Sequence, residues 1–300
     1  MRIATSTIYT NATNAMSSLQ AQADKLSTQI STGSKISKAS DDPLASARLA
    51  LLSQNTADNT VWTANISLAQ SLVAQSDSTL DSVQTQMTRA QELAVEANTG
   101  TLTDANKQSI ATELQGILAS LGSLANTKDA RGQPLFGGSG SDNAVNVATD
   151  GTVSIAATGN PSSIPIGDGS TIQATDSAQQ VFGGITTTTG TTSDVFSIVS
   201  KLITAVQTGG DIGTAGTDLT AAANQVTNAR ASLGARGSRL DMEATAMTAT
   251  ATSNEALRSS LQDTDVTTAV SDLQKTMTIL SATQASFTKL TSLSLFTYLS

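Results

Sequence analysis

The chain has neither cysteine nor histidine. That removes disulfides, thiol nucleophiles, imidazole bases and the common zinc sites. Aromatic residues make up only 3% and apolar residues 38% of the 300 residues. A large globular core usually draws on more aromatics. Helices packed side by side can manage with Leu, Ile, Val, Met and Ala. The net charge is −8 and no basic block occurs, so the composition offers nothing to hold a nucleic-acid backbone or a membrane surface. No apolar run reaches 18 residues, and Met1 to Gln20 contains no uninterrupted apolar core. Neither a membrane span nor a cleaved signal peptide is expected.

What the chain does have is helical periodicity at both ends. Met16, Leu19, Ala23, Leu26 and Ile30 step by 3, 4, 3 and 4 over a helix expected at residues 13–32. Gly33 follows, as glycine often does at a helix end. At the other end Val266, Val270, Leu273, Met277, Leu280, Phe287 and Leu290 keep the same heptad spacing, with Gln284 in one seam position. This is the pattern of a helix that faces a partner helix. Leu293, Leu295, Phe296, Tyr298 and Leu299 add apolar directions beyond one seam. A stripe this wide calls for more than one neighbour.

Between the ends, Asp42 followed by Pro43 reads as an N-cap and a first helical position. The adjacent Asp41 has no third acid or histidine near it in sequence, so a metal or an acid–base role is not expected of the pair. A helix from about Leu44 to Asn98, with no internal proline or glycine, spans roughly 80 Å. A second is expected over 104–128, antiparallel to it. From Ala130 the composition changes. Val145 and Val147, the turn Asp150-Gly151, then Val153 and Ile155 form a hairpin signature, repeated around Ile164, Ile166, Asp168-Gly169 and Ile172. The Gly/Thr run at 183–193 reads as a solvated linker. Helices return at 195–206 and, after a loop at 208–217, from Leu219 to about Leu261. Arg230, Arg236 and Arg239 are expected to pair with acids on neighbouring helices.

The expected fold is therefore mainly α with a small β-rich insertion, an α+β chain. It would be a long antiparallel helical rod whose terminal helices pair as a coiled coil. Three domains follow: residues 1–43 with 262–300 for assembly, 44–130 with 192–261 for the rod, and 131–191 for the insertion. The two terminal stripes bury too little apolar surface to offset the entropy of ordering them. They should order when copies pack together, whereas the middle of the chain should fold alone. No catalytic residue, metal or cofactor is expected. Asp142, Asp150, Asp168 and Asp176 are the acids available for a hydrolase in the insertion, and three of them sit in Gly- or Asn-flanked turn sequences.

Three stretches carry a family likeness. Leu26 to Pro43, Leu-Ser-Thr-Gln-Ile-Ser-Thr-Gly-Ser-Lys-Ile-Ser-Lys-Ala-Ser-Asp-Asp-Pro, resembles the N-terminal signature of bacterial flagellins and their relatives. Ser232 to Leu240 and Leu290 to Leu299 resemble the returning C-terminal helix and the extreme C-terminus of that superfamily. Within it, Met1 to Thr7, Pro134 to Gly138 and Leu293 to Leu299 resemble the subunits that join hook and filament, although Thr297 stands where relatives commonly have Asp. The resemblance implies an extracellular structural subunit of the flagellum, exported unfolded by a type III route. The implied partners are further copies of itself in a ring, a hook-associated protein on the hook side, flagellin on the filament side, and an export chaperone at the C-terminal region. The implied interface comprises Met16, Leu19, Leu26, Ile30, Val270, Leu273, Met277, Leu280, Phe287, Leu290, Leu293, Leu295, Phe296 and Leu299. Asp41, Asp42 and Pro43 would shape the turn beside it. Filament flagellin remains the alternative, and an exported coiled-coil tip or effector protein a more distant one.

Overall fold

The structure, a computed structural model, describes the backbone of residues 2–99, 102–139 and 143–299, with side chains at the two ends from residue 6 to residue 289. Among the described residues, seven helices and six short strands follow in order: α1 (Arg2–Thr32), α2 (Pro43–Ala97), α3 (Asp104–Ala125), β1 (Val145–Val147), β2 (Val153–Ile155), β3 (Ile164–Gly167), β4 (Ser170–Ile172), α4 (Ala178–Phe182), β5 (Ile185–Thr186), β6 (Thr192–Ser193), α5 (Val195–Thr208), α6 (Ile212–Gln262) and α7 (Val266–Leu299). The chain forms two compact units, residues 1–58 with 249–300 and residues 59–248.

The second unit holds the hydrophobic core. Leu80, Val83, Met87 and Leu93 of α2, Leu114 and Leu121 of α3, Val199 and Leu202 of α5, and Leu219, Val226 and Leu240 of α6 are all buried. The antiparallel course of α2 and α6 is fixed by polar ties along their length. Asn59 donates to the Met247 carbonyl (3.2 Å), Gln70 to Asp241 (2.8 Å), and Arg230 to Asp77 (3.0 Å) and Asp81 (2.9 Å). The β-rich segment belongs to this same core. Its Phe136 and Phe182 meet at a ring-centroid distance of 5.5 Å, and Phe182 meets Phe196 of α5 at 5.3 Å. Three aromatic rings thus tie the loop, the short α4 and α5 together.

Both expected hairpins form, Val145 opposite Ile155 and Ile164 opposite Ile172. Asp150 stabilises the first turn by accepting from the Thr152 amide and hydroxyl (2.9 and 2.6 Å). Gly151 completes it at φ +83°, a conformation open to residues without a Cβ.

Four expectations need correction. Helix α1 begins at Arg2, not residue 13. Thr and Asn give residues 4–13 low helix propensity, but Tyr9 packs on Phe287 of α7 at 4.9 Å, a tertiary contact that overrides it. The run at 183–193 is a third hairpin, with Ile185 opposite Ser193. Thr187 is buried, and the Thr188 amide and hydroxyl donate to Asp218 (2.7 and 2.6 Å). Threonine is β-branched and suits strands, which a reading by composition as linker overlooked. The loop at 208–217 is shorter than expected, because Asp211 accepts from the Thr214 amide (3.0 Å) and starts α6 at Ile212. Finally, of the three arginines only Arg230 pairs with acids of a neighbouring helix. Arg236 donates to the Gln173 carbonyl (3.0 Å) and pairs with Asp176, and Arg239 donates to Ser170 (3.1 Å). Both hold the second hairpin and its exit down onto α6.

Candidate assembly interface

The first unit is built on α1 and α7, which run antiparallel. The Gly33 carbonyl accepts from the Thr264 amide (2.9 Å) at one end, and the Tyr9 and Phe287 rings meet at the other. Along α7 the residues turned inward are Ala269, Leu273, Thr276, Leu280, Thr283 and Phe287, stepping by 4, 3, 4, 3 and 4. Ala269, Thr276 and Leu280 are buried, and the other three are half-buried. Across from them on α1, Ala23 is buried, and Met16, Leu19, Leu26 and Ile30 are half-buried.

This seam differs from the one read in the sequence. Leu273, Leu280 and Phe287 belong to both. Val266, Val270 and Met277 do not: they lie on the flank of α7 and remain 46%, 37% and 47% exposed. Ile279, on the opposite flank, is 44% exposed. Ala269 and Thr276 were missed because a count of large apolar residues gives them no weight. Gln284 was the available signal. It interrupts the heptad through Val266 and leaves the one through Ala269 unbroken. Leu290, Leu293, Leu295, Phe296 and Leu299 lie outside the described side chains.

The apolar surface therefore wraps farther round α7 than α1 covers. More exposed apolar side chains lie elsewhere in this unit: Ile8 and Tyr9 on α1, Leu44 and Leu51 at the start of α2, and Leu257 near the end of α6. Scattered exposed apolar residues are ordinary on any protein surface. A row on one helix flank, at i, i+4 and i+11, is not scattered.

Where the terminal helices leave the rest of the unit, the links 33–42 and 263–265 meet. The Lys35 amide donates to the Gln262 carbonyl (2.6 Å), beside the Gly33–Thr264 bond, so that Ser34 and Asp263 pair as an antiparallel bridge. Gly33 holds φ at +67°, the left-handed region that a side chain disfavours. Asp42 caps α2 by accepting from the Ala45 amide (2.9 Å), as its position before Pro43 led us to expect. Asp41 is the hub of the link. One carboxylate oxygen takes the Lys25 ammonium (3.1 Å), and the other takes the Ser37 amide (3.1 Å), the Lys38 amide (3.0 Å) and the Ser37 hydroxyl (3.0 Å). The Lys25 ammonium, then the Lys38 and Ser37 donors, hold this carboxyl far below the usual carboxylate range. Asp265 caps α7, accepting from the Thr267 amide (3.0 Å), the Thr268 amide (3.2 Å) and the Thr268 hydroxyl (2.7 Å). The Thr268 hydroxyl and then its amide lower the Asp265 pKa.

Two acids of the β-rich segment are likewise engaged in shaping it. Asp150 serves its own turn, and Asp176 is paired with Arg236. Asp142 lies outside the described residues. Among the described residues, no helix is long and apolar enough to cross a membrane.

Comparison with known proteins places this geometry in context. Residues 3–141 match the model of the bacterial flagellin N-terminal helical region, and residues 217–299 match that of the bacterial flagellin C-terminal helical region. The chain is 38% identical over 138 residues to flagellar hook-associated protein 3 of Salmonella typhimurium, and 36% identical over 144 residues to the Escherichia coli protein of the same name. These alignments cover 46% and 48% of this chain, and the chain spans less than half the length of each relative, 44% and 45%. Among solved structures, a putative flagellar hook-associated protein from Vibrio parahaemolyticus shares the fold at a TM-score of 0.66 and 21% identity, over 74% of this chain and 100% of that one.

Proposed function

The chain belongs to the bacterial flagellin superfamily, and we propose that it is a junction subunit of the bacterial flagellum, joining the hook side to the flagellin filament through its terminal helices. The observation that carries this reading is the flank of α7. Val266, Val270 and Met277 form an apolar row that α1 leaves open, on the helix pair that the family models match. Two relatives named flagellar hook-associated protein 3 support the junction role over that of filament flagellin.

In this reading residues 1–43 and 262–300 form the assembly segment, residues 44–130 and 192–261 the helical support, and residues 131–191 an accessory insertion. The partners are neighbouring copies in a ring, a hook-associated protein on one side and flagellin on the other. Before assembly, an export chaperone covers the C-terminal region, and the chain leaves the cell by a type III route. It acts by packing, with no catalytic step and no cofactor.

The test is a strain lacking this protein, examined by electron microscopy. It should keep its hooks, carry no filaments and release flagellin monomer into the medium. Filaments of normal length on such cells would overturn the proposal.

A further inference from the structure

Building on the assembly role proposed above, we infer that the joint between links 33–42 and 263–265 is the nucleus from which both terminal helices form, and that it sets their register. The need for such a device lies in α7 itself. Two overlapping heptads run along it, one through Ala269, Leu273, Thr276, Leu280, Thr283 and Phe287, the other through Val266, Val270, Leu273, Met277, Leu280 and Phe287. Only Gln284, toward the far end, breaks the second, so over residues 266–280 the apolar pattern does not choose which one faces α1. The Gly33–Thr264 and Lys35–Gln262 backbone bonds make the choice, because they fix where α7 starts beside the end of α1.

Starting a helix is the costly step, since several residues must be fixed before the first hydrogen bond closes. At the joint that cost is already offset for both helices. Asp265 occupies three donors of the first turn of α7. The last two turns of α1 are held by Lys25 on Asp41 (3.1 Å) and by Gln29, whose side chain donates to the Lys35 carbonyl (2.8 Å). Lys25 and Gln29 are one turn apart and both reach the link. Beyond the joint the described pair relies on its seam, in which Ala23, Ala269, Thr276 and Leu280 are buried and their neighbours only partly so. Ordering therefore runs outward from the joint to the free ends.

Hydrogen exchange on the dilute full-length chain, shown to be monomeric by light scattering, tests this without any flagellum. Its failure is thus separable from failure of the junction role. Exchange should be slowest at 26–32 and 269–275 and accelerate toward residues 6 and 289. Asp265→Ala should speed exchange roughly fivefold at 269–275, the weight of one helix cap, and also speed it at 26–32 across the bridge. Asp265→Ser, which supplies another capping oxygen, should restore both. Uniform exchange along the two helices would overturn the inference. So would acceleration confined to α7, acceleration as large at 280–289 as at 269–275, or no rescue by serine.

Discussion

Replacing Val270 with serine and Met277 with glutamine separates the outward flank of α7 from its inward seam. Full burial of a Val or Met side chain contributes roughly 1.5–3 kcal/mol. In the single chain these two remain 37% and 47% exposed, so roughly 0.6–1.4 kcal/mol each is still to be gained from a neighbour. The pair amounts to about 2 kcal/mol per copy, or about thirtyfold in an association constant. The double variant should therefore need about thirtyfold more protein to form oligomers in sedimentation velocity, and should support fewer filaments in complemented cells. Its exchange pattern as a dilute monomer should stay close to wild type, since both side chains lie on the exposed flank of α7 and outside its buried seam. Leu280→Ala is the contrasting case. Leu280 is 5% exposed in the seam, and its truncation should cost about 2–3 kcal/mol and speed exchange along α1 and α7 even in the monomer. The reasoning is refuted if the double variant assembles at the wild-type concentration, or if it loosens the monomer as Leu280→Ala does.

Four other outcomes follow from the same structure. Phe182→Ala removes the ring between Phe136 and Phe196 and should cost about 3–5 kcal/mol, read as a lowered thermal midpoint. A fragment of residues 59–248 contains the whole main core and should unfold cooperatively on heating; a fragment without helical signal would contradict that. Burial pushes the Asp129 carboxyl up, but the Gln133 amide and the Arg131 guanidinium and amide outweigh it and leave the pKa lowered. Its contribution is present above the unfolded value of about 3.9 and is lost as pH falls through the lower folded value, so stability should decline below about pH 4 and Asp129→Asn should flatten the decline. Unit 1 carries eight acidic and eight basic side chains, which leaves the net charge of −8 on unit 2. Added salt, which shortens the Debye length to about 10 Å at 0.1 M, should therefore strengthen self-association, and weakening would count against an interface made by unit 1.

Which parts of the structure could be read from the sequence depended on whether the deciding interaction was local. The start of α2 was legible because Asp42-Pro43 contains its own cap. The two hairpins were legible because Asp150-Gly151 and Asp168-Gly169 carry their own turns. The first eleven residues of α1 were not, since the contact that supports them, Tyr9 on Phe287, spans nearly the whole chain. Arg236 misled for a related reason. Its carbonyl partners, Gln173 and Thr175, are invisible to any reading of charge pattern. In the interface, periodicity found the helices and their pairing. It did not find the face, because the larger apolar residues favour one of two heptads on α7, only Gln284 breaks that one, and the bonds that decide between them lie at the joint.

That choice of face bears on how the proposed junction subunit would assemble. A helix of a monomeric globular protein usually turns its larger apolar side chains toward its own core. Helix α7 places Ala269 and Thr276 in the seam beside Leu273 and Leu280, and leaves Val266, Val270, Met277 and Ile279 outward. Small seam residues return little burial energy. In the proposed assembly, the outward row would return its energy once a neighbouring copy covers it. Had the other heptad faced α1, Val270 and Met277 would be buried in the monomer, α1 and α7 would be more stable alone, and less would remain to favour association. If the joint selects the weaker seam, as inferred above, it moves stability from the subunit to the proposed assembly.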